Sequence, residues 1–219
     1  MIEIILLVSS ILFIFALKLF GRPSTAHRAN TFAMLAMALA VFSAFNFDFS
    51  KYDSAFYITI VVSGLLGVLI SKRVQMTQMP ELVGLFNGFG GGASGAIAYV
   101  ELSGSSLPIS VVFVAIFSMG IGMFTFSGSF VAVMKLRGKL NNFNKKLADI
   151  FSVFFPIILV IPAVLEMDDL LMEFIILVAL IAGVIRVAVI GGADMPVVIA
   201  FLNSLSGIAA MSAGFIVNS

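Results

Sequence analysis

Apolar runs close to bilayer-spanning length recur along the whole chain of 219 residues, each ended by short polar punctuation, and this decides the solvent in which it folds. Only 11% of the residues are charged and 61% are hydrophobic, with a mean hydropathy of +1.20. A soluble domain carries about 25% charge to cover its outside. Lipid is therefore the solvent for most of this chain. The runs fall at 2–20, 30–47, 54–71, 79–100, 107–134, 149–165, 170–190 and 195–216. About 20 helical residues rise about 30 Å, the depth of the hydrocarbon layer. The short alternating segments of an outer-membrane barrel are absent from the sequence. The expected fold is an all-α integral membrane protein, a single transmembrane domain over 1–219 built as a polytopic bundle of about eight helices. The first run shows no small-residue cleavage site before Phe20 and reads as a retained helix.

The few charges matter by position. Their sum is +1, which gives no argument for nucleic acid or for an acidic partner. Lys18, Arg22, Arg28, Lys72, Arg73, Lys135, Arg137, Lys139, Lys145, Lys146 and Arg186 all fall at odd-numbered connections, whereas of the 12 basic residues only Lys51 falls at an even one. The even connections carry Glu101, Glu166, Asp168 and Asp169 instead. By the positive-inside rule the odd connections are cytoplasmic, which sets the N-terminus outside a bacterial-type inner membrane. The longest connection, around 135–148, is short and basic, leaving no room for a soluble catalytic domain. The chain has no Cys, which excludes thiolate chemistry and cysteine metal sites, and one His, which leaves no imidazole cluster. With no Trp, interfacial aromatics must come from Tyr and Phe.

Two runs open alike. MPELVGLFNGFGG at 79–91 and MPVVIAFLNSLSG at 195–207 share Met79/Met195, Pro80/Pro196, Asn87/Asn203 and Gly91/Gly207. Each Asn lies about 10 Å of helix past its Pro. Helical spacing puts Asn87 on one face with Gly91 and Ser94, and Asn203 on one face with Gly207 and Ala210. A carboxamide below the headgroups must find a hydrogen-bond partner, and small neighbours leave room for a second helix or for water. Either the stripes line a water file or the amides glue helices together, with Gly84, Gly88 and Gly92 permitting close packing.

Pro80 and Pro196 suit a first helical turn. Glu81 and Asp194 then lie at helix N-termini, where the macrodipole stabilises negative charge. Asp194 also follows a flexible Gly191-Gly192-Ala193 junction with Arg186 upstream, so it is a candidate proton donor, acceptor or gate at the mouth of a polar stripe. Gly88-Phe89-Gly90-Gly91-Gly92-Ala93 matches a loose dinucleotide fingerprint, but no strand precedes it and it is rejected. Thr125, Ser127 and Ser129 form a polar patch that either hydrates a path or back-bonds to its own helix. Pro156 and Pro162 predict a kinked sixth run. His27 is expected in a basic loop, and Phe151, Phe154 and Phe155 against lipid or in packing.

At these segments the sequence resembles a known family, the membrane domain of the β subunit of proton-translocating NAD(P) transhydrogenase. SKRVQMTQMPELVGLFNG (71–88), GGGAS (90–94) and GGADMPVVIAFLNSLSGIAAMSAGF (191–215) carry the likeness, which extends over essentially the whole chain. The resemblance implies a machine in which inward proton movement drives hydride transfer from NADH to NADP+. Soluble partner domains would bind NAD(H) and NADP(H) and carry out the transfer, with no cofactor, metal or catalytic group for hydride transfer on this chain. It implies an α-type subunit and an NADP-binding domain as partners in a dimer of the assembled enzyme. Asn203 matches the family's channel asparagine and Asp194 the acid at the cytoplasmic mouth, with Glu81 in the matching motif. Some members carry a titrating His where this chain has Asn87. An amide does not exchange protons near neutral pH, so the proton-carrying His is expected from the α-type subunit. The family continues beyond the position of residue 219 into one more span and the NADP domain, so a fragment or split gene product is expected. Outside the resemblance, the paired motifs also fit a stand-alone proton or cation transporter, and the bundle alone fits a structural assembly subunit.

Overall fold

The computed structural model describes residues 2–44, 52–104, 107–140, 145–146, 149–150 and 169–217. Among them are seven long helices: α1 (Ile2–Phe20), α2 (Ala26–Ala44), α3 (Ser54–Arg73), α4 (Met79–Gly104), α5 (Ile109–Leu136), α6 (Asp169–Ala188) and α7 (Met195–Val217). Helices thus occupy seven of the eight expected runs. The remaining run at 149–165, with its prolines and phenylalanines, lies outside the described residues beyond Ile150. By length and apolarity, five of the helices can cross a bilayer: α1, α3, α5, α6 and the stretch Gly192–Val217 that contains α7. Among the described residues five of the seven helices therefore meet this measure, and the reason the other two do not is local. His27, Arg28 and Asn30 dilute the apolarity of α2, and Glu81, Asn87, Ser94 and many glycines dilute that of α4. The second helix also starts earlier than the apolar run, so His27 and Arg28 sit in its first turn and not in a loop.

The chain forms two compact units, Met1–Lys72 and Arg73–Ser219. In the first, α1 and α2 form an antiparallel hairpin around small residues at seven-residue spacing. Ser9 and Ala16 on one helix and Ala29, Ala36 and Ser43 on the other are buried. Their lack of bulk lets the backbones approach, and Ser9 Oγ donates to the Ala36 carbonyl at 2.7 Å. Helix α3 buries none of its residues.

The second unit packs α4 to α7 together. Helices α4 and α5 run antiparallel with their backbones in contact. A Cβ on Gly122 would lie 2.5 Å from the Gly91 carbonyl oxygen and 2.7 Å from the Gly95 nitrogen. Glycine is required here because any side chain would force the helices apart. Gly183 of α6 meets Ser127 and Phe124 of α5 in the same way. Two apolar clusters fill the ends of the unit. One gathers Ala98, Val111, Ala115, Ile116, Met119, Met172, Ile175 and Ile216. The other gathers Val131, Ala132, Val187, Ala188, Met195, Ile199 and Leu202. Between these clusters the buried residues are nearly all small or polar, among them Asn87, Gly91 and Ser94 of α4, Gly122, Thr125 and Ser129 of α5, Ala182 and Gly183 of α6, and Ala209 and Ser212 of α7, and the candidate site lies in that layer.

Candidate functional site

Both motif-bearing helices begin with the same device. A single 3-10 turn, Met76–Gln78 before α4 and Gly192–Asp194 before α7, leads into Met-Pro, with the proline second in the helix. The missing proline N–H costs nothing at that position. The two helices run parallel, since Met79, Pro80 and Val83 line one cavity with Pro196, Ile199, Ala200 and Asn203, while Ser94 and Ile97 line a second with Ala210, Ala213 and Gly214.

Between these cavities three helices are joined through one amide. Asn87, 6% exposed, donates from Nδ2 to Ser129 Oγ of α5 at 2.9 Å. Its Oδ1 accepts from Ser206 Oγ of α7 at 2.6 Å. The chain Ser206–Asn87–Ser129 thus satisfies a buried carboxamide at both ends, as a dry interior requires. Ser206 was not singled out in the sequence; its signal is its place three residues after Asn203, on the flank of α7 that turns towards α4. Thr125, one turn along α5 from Ser129, is fully buried and its Oγ1 has no hydrogen-bond partner among the described residues. Ser127 points elsewhere and back-bonds to Phe124 O at 3.2 Å. The polar patch on α5 therefore divides, with Ser129 joining the amide and Ser127 turned to its own helix.

The two motifs occupy unlike environments. Asn87, Gly91 and Ser94 form a buried stripe, and Gly91 is filled by α5, so that a Cβ there would meet Gly122 O at 2.9 Å and Thr125 Cβ at 3.0 Å. The space left by this glycine holds a helix and not water. Ser94 Oγ back-bonds to Gly90 O at 3.0 Å while lining the second cavity. Asn203, Gly207 and Ala210 are exposed, and nothing lies within 4 Å of a Cβ on Gly207. The Asn203 side chain has no hydrogen-bond partner among the described residues.

The charges gather where α5 and α6 end and α4 and α7 begin. Glu81 forms an ion pair with Arg137, Nε to Oε2 2.6 Å. A left-handed Gly138 (φ 66°) ends α5, with Gly138 N–H bonded to Lys135 O and Lys139 N–H to Met134 O. This glycine-terminated cap turns Arg137 towards α4. Lys135, expected in the connecting loop, lies in the last turn of α5 and is 5% exposed. Its Nζ donates to the Ile190 carbonyl at 2.9 Å, which holds the junction that leads to Asp194. Arg186 approaches Asp149 at 3.7 Å and not Asp194, which stands exposed on its 3-10 turn. Among the described residues no group of His and carboxylates could hold a metal ion.

Comparison with known proteins places this arrangement. The family model described as "NAD(P) transhydrogenase beta subunit" matches residues 2–219. The chain is 32% identical over 232 aligned positions to NAD(P) transhydrogenase subunit beta of Rhodospirillum rubrum, covering 95% of this chain and 48% of that protein. A second R. rubrum sequence of the same name, from a defined strain, gives the same values. The chain therefore spans about half the length of the curated relatives it matches. Matched along nearly all its residues by that family model, and sharing about a third of its aligned positions with these relatives, the chain belongs to the NAD(P) transhydrogenase beta subunit family.

Proposed function

We propose that this chain is the proton-conducting membrane part of an NAD(P) transhydrogenase, coupling inward proton movement to hydride transfer from NADH to NADP+ in soluble domains. The observation that carries this reading is the Ser206–Asn87–Ser129 chain between two cavities, in a member of this family. None of these three groups titrates near neutral pH, so they orient water and do not hold the proton themselves. The titrating group comes from a partner, an imidazole on an α-type subunit. Exposed Asn203 and Gly207 support that arrangement, since an amide facing hydrocarbon needs either a partner helix or water. Asp194, at the cytoplasmic mouth, communicates with an NADP-binding domain, and Lys135 and Glu81 fix the framework around it. NAD(H) and NADP(H) bind to the partner domains.

Coupling requires that the two states of the nucleotide domain differ in affinity for the proton. The test is reconstitution of the complete complex in liposomes, with NADH-driven NADP+ reduction and proton uptake followed together. Asp194→Asn and Asn203→Leu are expected to lower both rates strongly. Unchanged rates in both variants would refute the path.

A further inference from the structure

The groove between α4 and α7 is interrupted at one place. Below it lies a cavity of about 440 Å³ lined by Met79, Pro80, Pro196 and Asn203, among others. Above it lies one of about 270 Å³ lined by Ser94, Ala210 and Gly214, among others. Between the residues that line them, α4 and α7 each place one polar side chain, Asn87 and Ser206, and the two are hydrogen-bonded across the groove. No detour leads between α4 and α5, because Gly91, Gly95 and Gly122 hold those backbones in contact.

Ser206 has a single O–H and two acceptors within reach. Asn87 Oδ1 lies at 2.6 Å, across the groove, and the Asn203 carbonyl of its own helix at 3.0 Å. A hydroxyl donates to one acceptor at a time with full strength, and the turn between them is a rotation about χ1. The Asn87 amide cannot rotate in concert, because its Nδ2 is held by fully buried Ser129.

We propose that Ser206 is a positioning residue that opens and closes the proton path by exchanging its hydroxyl between Asn87 and the Asn203 carbonyl. Directed at Asn87, it bolts α4 to α7 and separates the two cavities. Turned back on Asn203, it leaves Asn87 Oδ1 free to accept a hydrogen bond from water, and a water file joins the cavities. The excess proton then moves along the waters, each O–H breaking as the next forms. Neither the amide nor the hydroxyl becomes ionised. This inference rests on the proton-path reading above.

The experiment uses the complete complex in liposomes containing a pH-sensitive dye, with two readouts: passive proton leak, and protons taken up per hydride transferred. Ser206→Ala removes the bolt. In the alanine variant Asn87 Oδ1 is unpaired in the closed state and paired by water in the open one, whereas the Asn203 carbonyl keeps its helical partner in both; a difference of one neutral hydrogen bond shifts the open population about five-fold, so the leak is expected to rise about five-fold and the proton-to-hydride ratio to fall. Ser206→Thr retains the hydroxyl and is expected to restore both. Ser206→Cys, close in size and a poor donor, is expected to follow Ser206→Ala, and decides the question if the alanine variant does not assemble. An unchanged leak and ratio in Ser206→Ala or Ser206→Cys would overturn the proposal, as would a fall in both rates at constant ratio, the mark of a merely structural role. If the native complex itself takes up no protons, the proton-path reading fails and not the bolt alone.

Discussion

Substituting Gly122 with alanine adds one methyl group at the tightest approach in the second unit. That carbon would stand 2.5 Å from Gly91 O and 2.7 Å from Gly95 N, both backbone atoms that no rotamer change can move. Restoring an ordinary contact requires α4 and α5 to separate by about 0.7 Å or more, which forfeits a quarter to a half of the dispersion energy along the seam. Overpacking of this kind costs about 1–3 kcal/mol, and two backbone collisions put Gly122→Ala at the upper end. Against this stands a helix-propensity gain of about 1 kcal/mol for alanine over glycine. Gly90 supplies the control, since it lies in the same layer of α4 and a Cβ there meets nothing within 4 Å. The propensity term cancels between the two variants, leaving Gly122→Ala less stable than Gly90→Ala by about 3 kcal/mol. Reversible unfolding in mixed micelles measures that difference. Equal stability of the two variants would refute the backbone contact, and with it the argument that the proton path cannot run between α4 and α5.

Two further perturbations test the charged end of the unit. Lys135→Met removes the ammonium that donates to Ile190 O and leaves that part-buried carbonyl, two residues past the end of α6, without the donor; a loss of about 1 kcal/mol is expected in the same unfolding assay, and an unchanged midpoint would mean that the junction does not depend on this contact. Glu81→Gln weakens the pair with Arg137, whose side chain is 51% exposed; the expected loss is below about 1 kcal/mol and vanishes in about 0.5 M salt, so a large, salt-independent loss would show that the pair is shielded from water.

Most of the helices were legible in the sequence because lipid leaves the backbone few options, and runs such as 54–71 and 195–216 predict α3 and α7 to within two residues. Ends fixed by specific turn chemistry were less so. The cap at Gly138 extends α5 through Lys135, which charge alone had placed in a loop. Asn87 was legible as a buried polar group, because a stripe of Gly91 and Ser94 accompanies it. Its partners were not. Ser129 lies 42 residues away in sequence and Ser206 lies 119 away, and serine is common enough in helices that only the packing of α4, α5 and α7 selects these two. Arg186, noted in the sequence for lying upstream of Asp194, stands on α6 with Asp149 at 3.7 Å, a neighbour that sequence spacing alone does not select.

The repeated motif carries one more consequence. Two segments with the same entry turn, the same Met-Pro start and the same Asn and Gly spacing would be expected to occupy equivalent sites, yet only the first has its stripe covered. The difference lies not in the motifs but in what faces them. Helix α5 presents Gly122, Thr125 and Ser129 to α4, glycine where the backbones meet and hydroxyls elsewhere, whereas no neighbouring helix among the described residues lies within 4 Å of a Cβ on Gly207 of α7. An amide such as Asn203 left in hydrocarbon without partners costs several kcal/mol. We therefore propose that the open stripe on α7 is half of a site, completed by water or by a polar side chain of another helix that brings the missing hydrogen bonds.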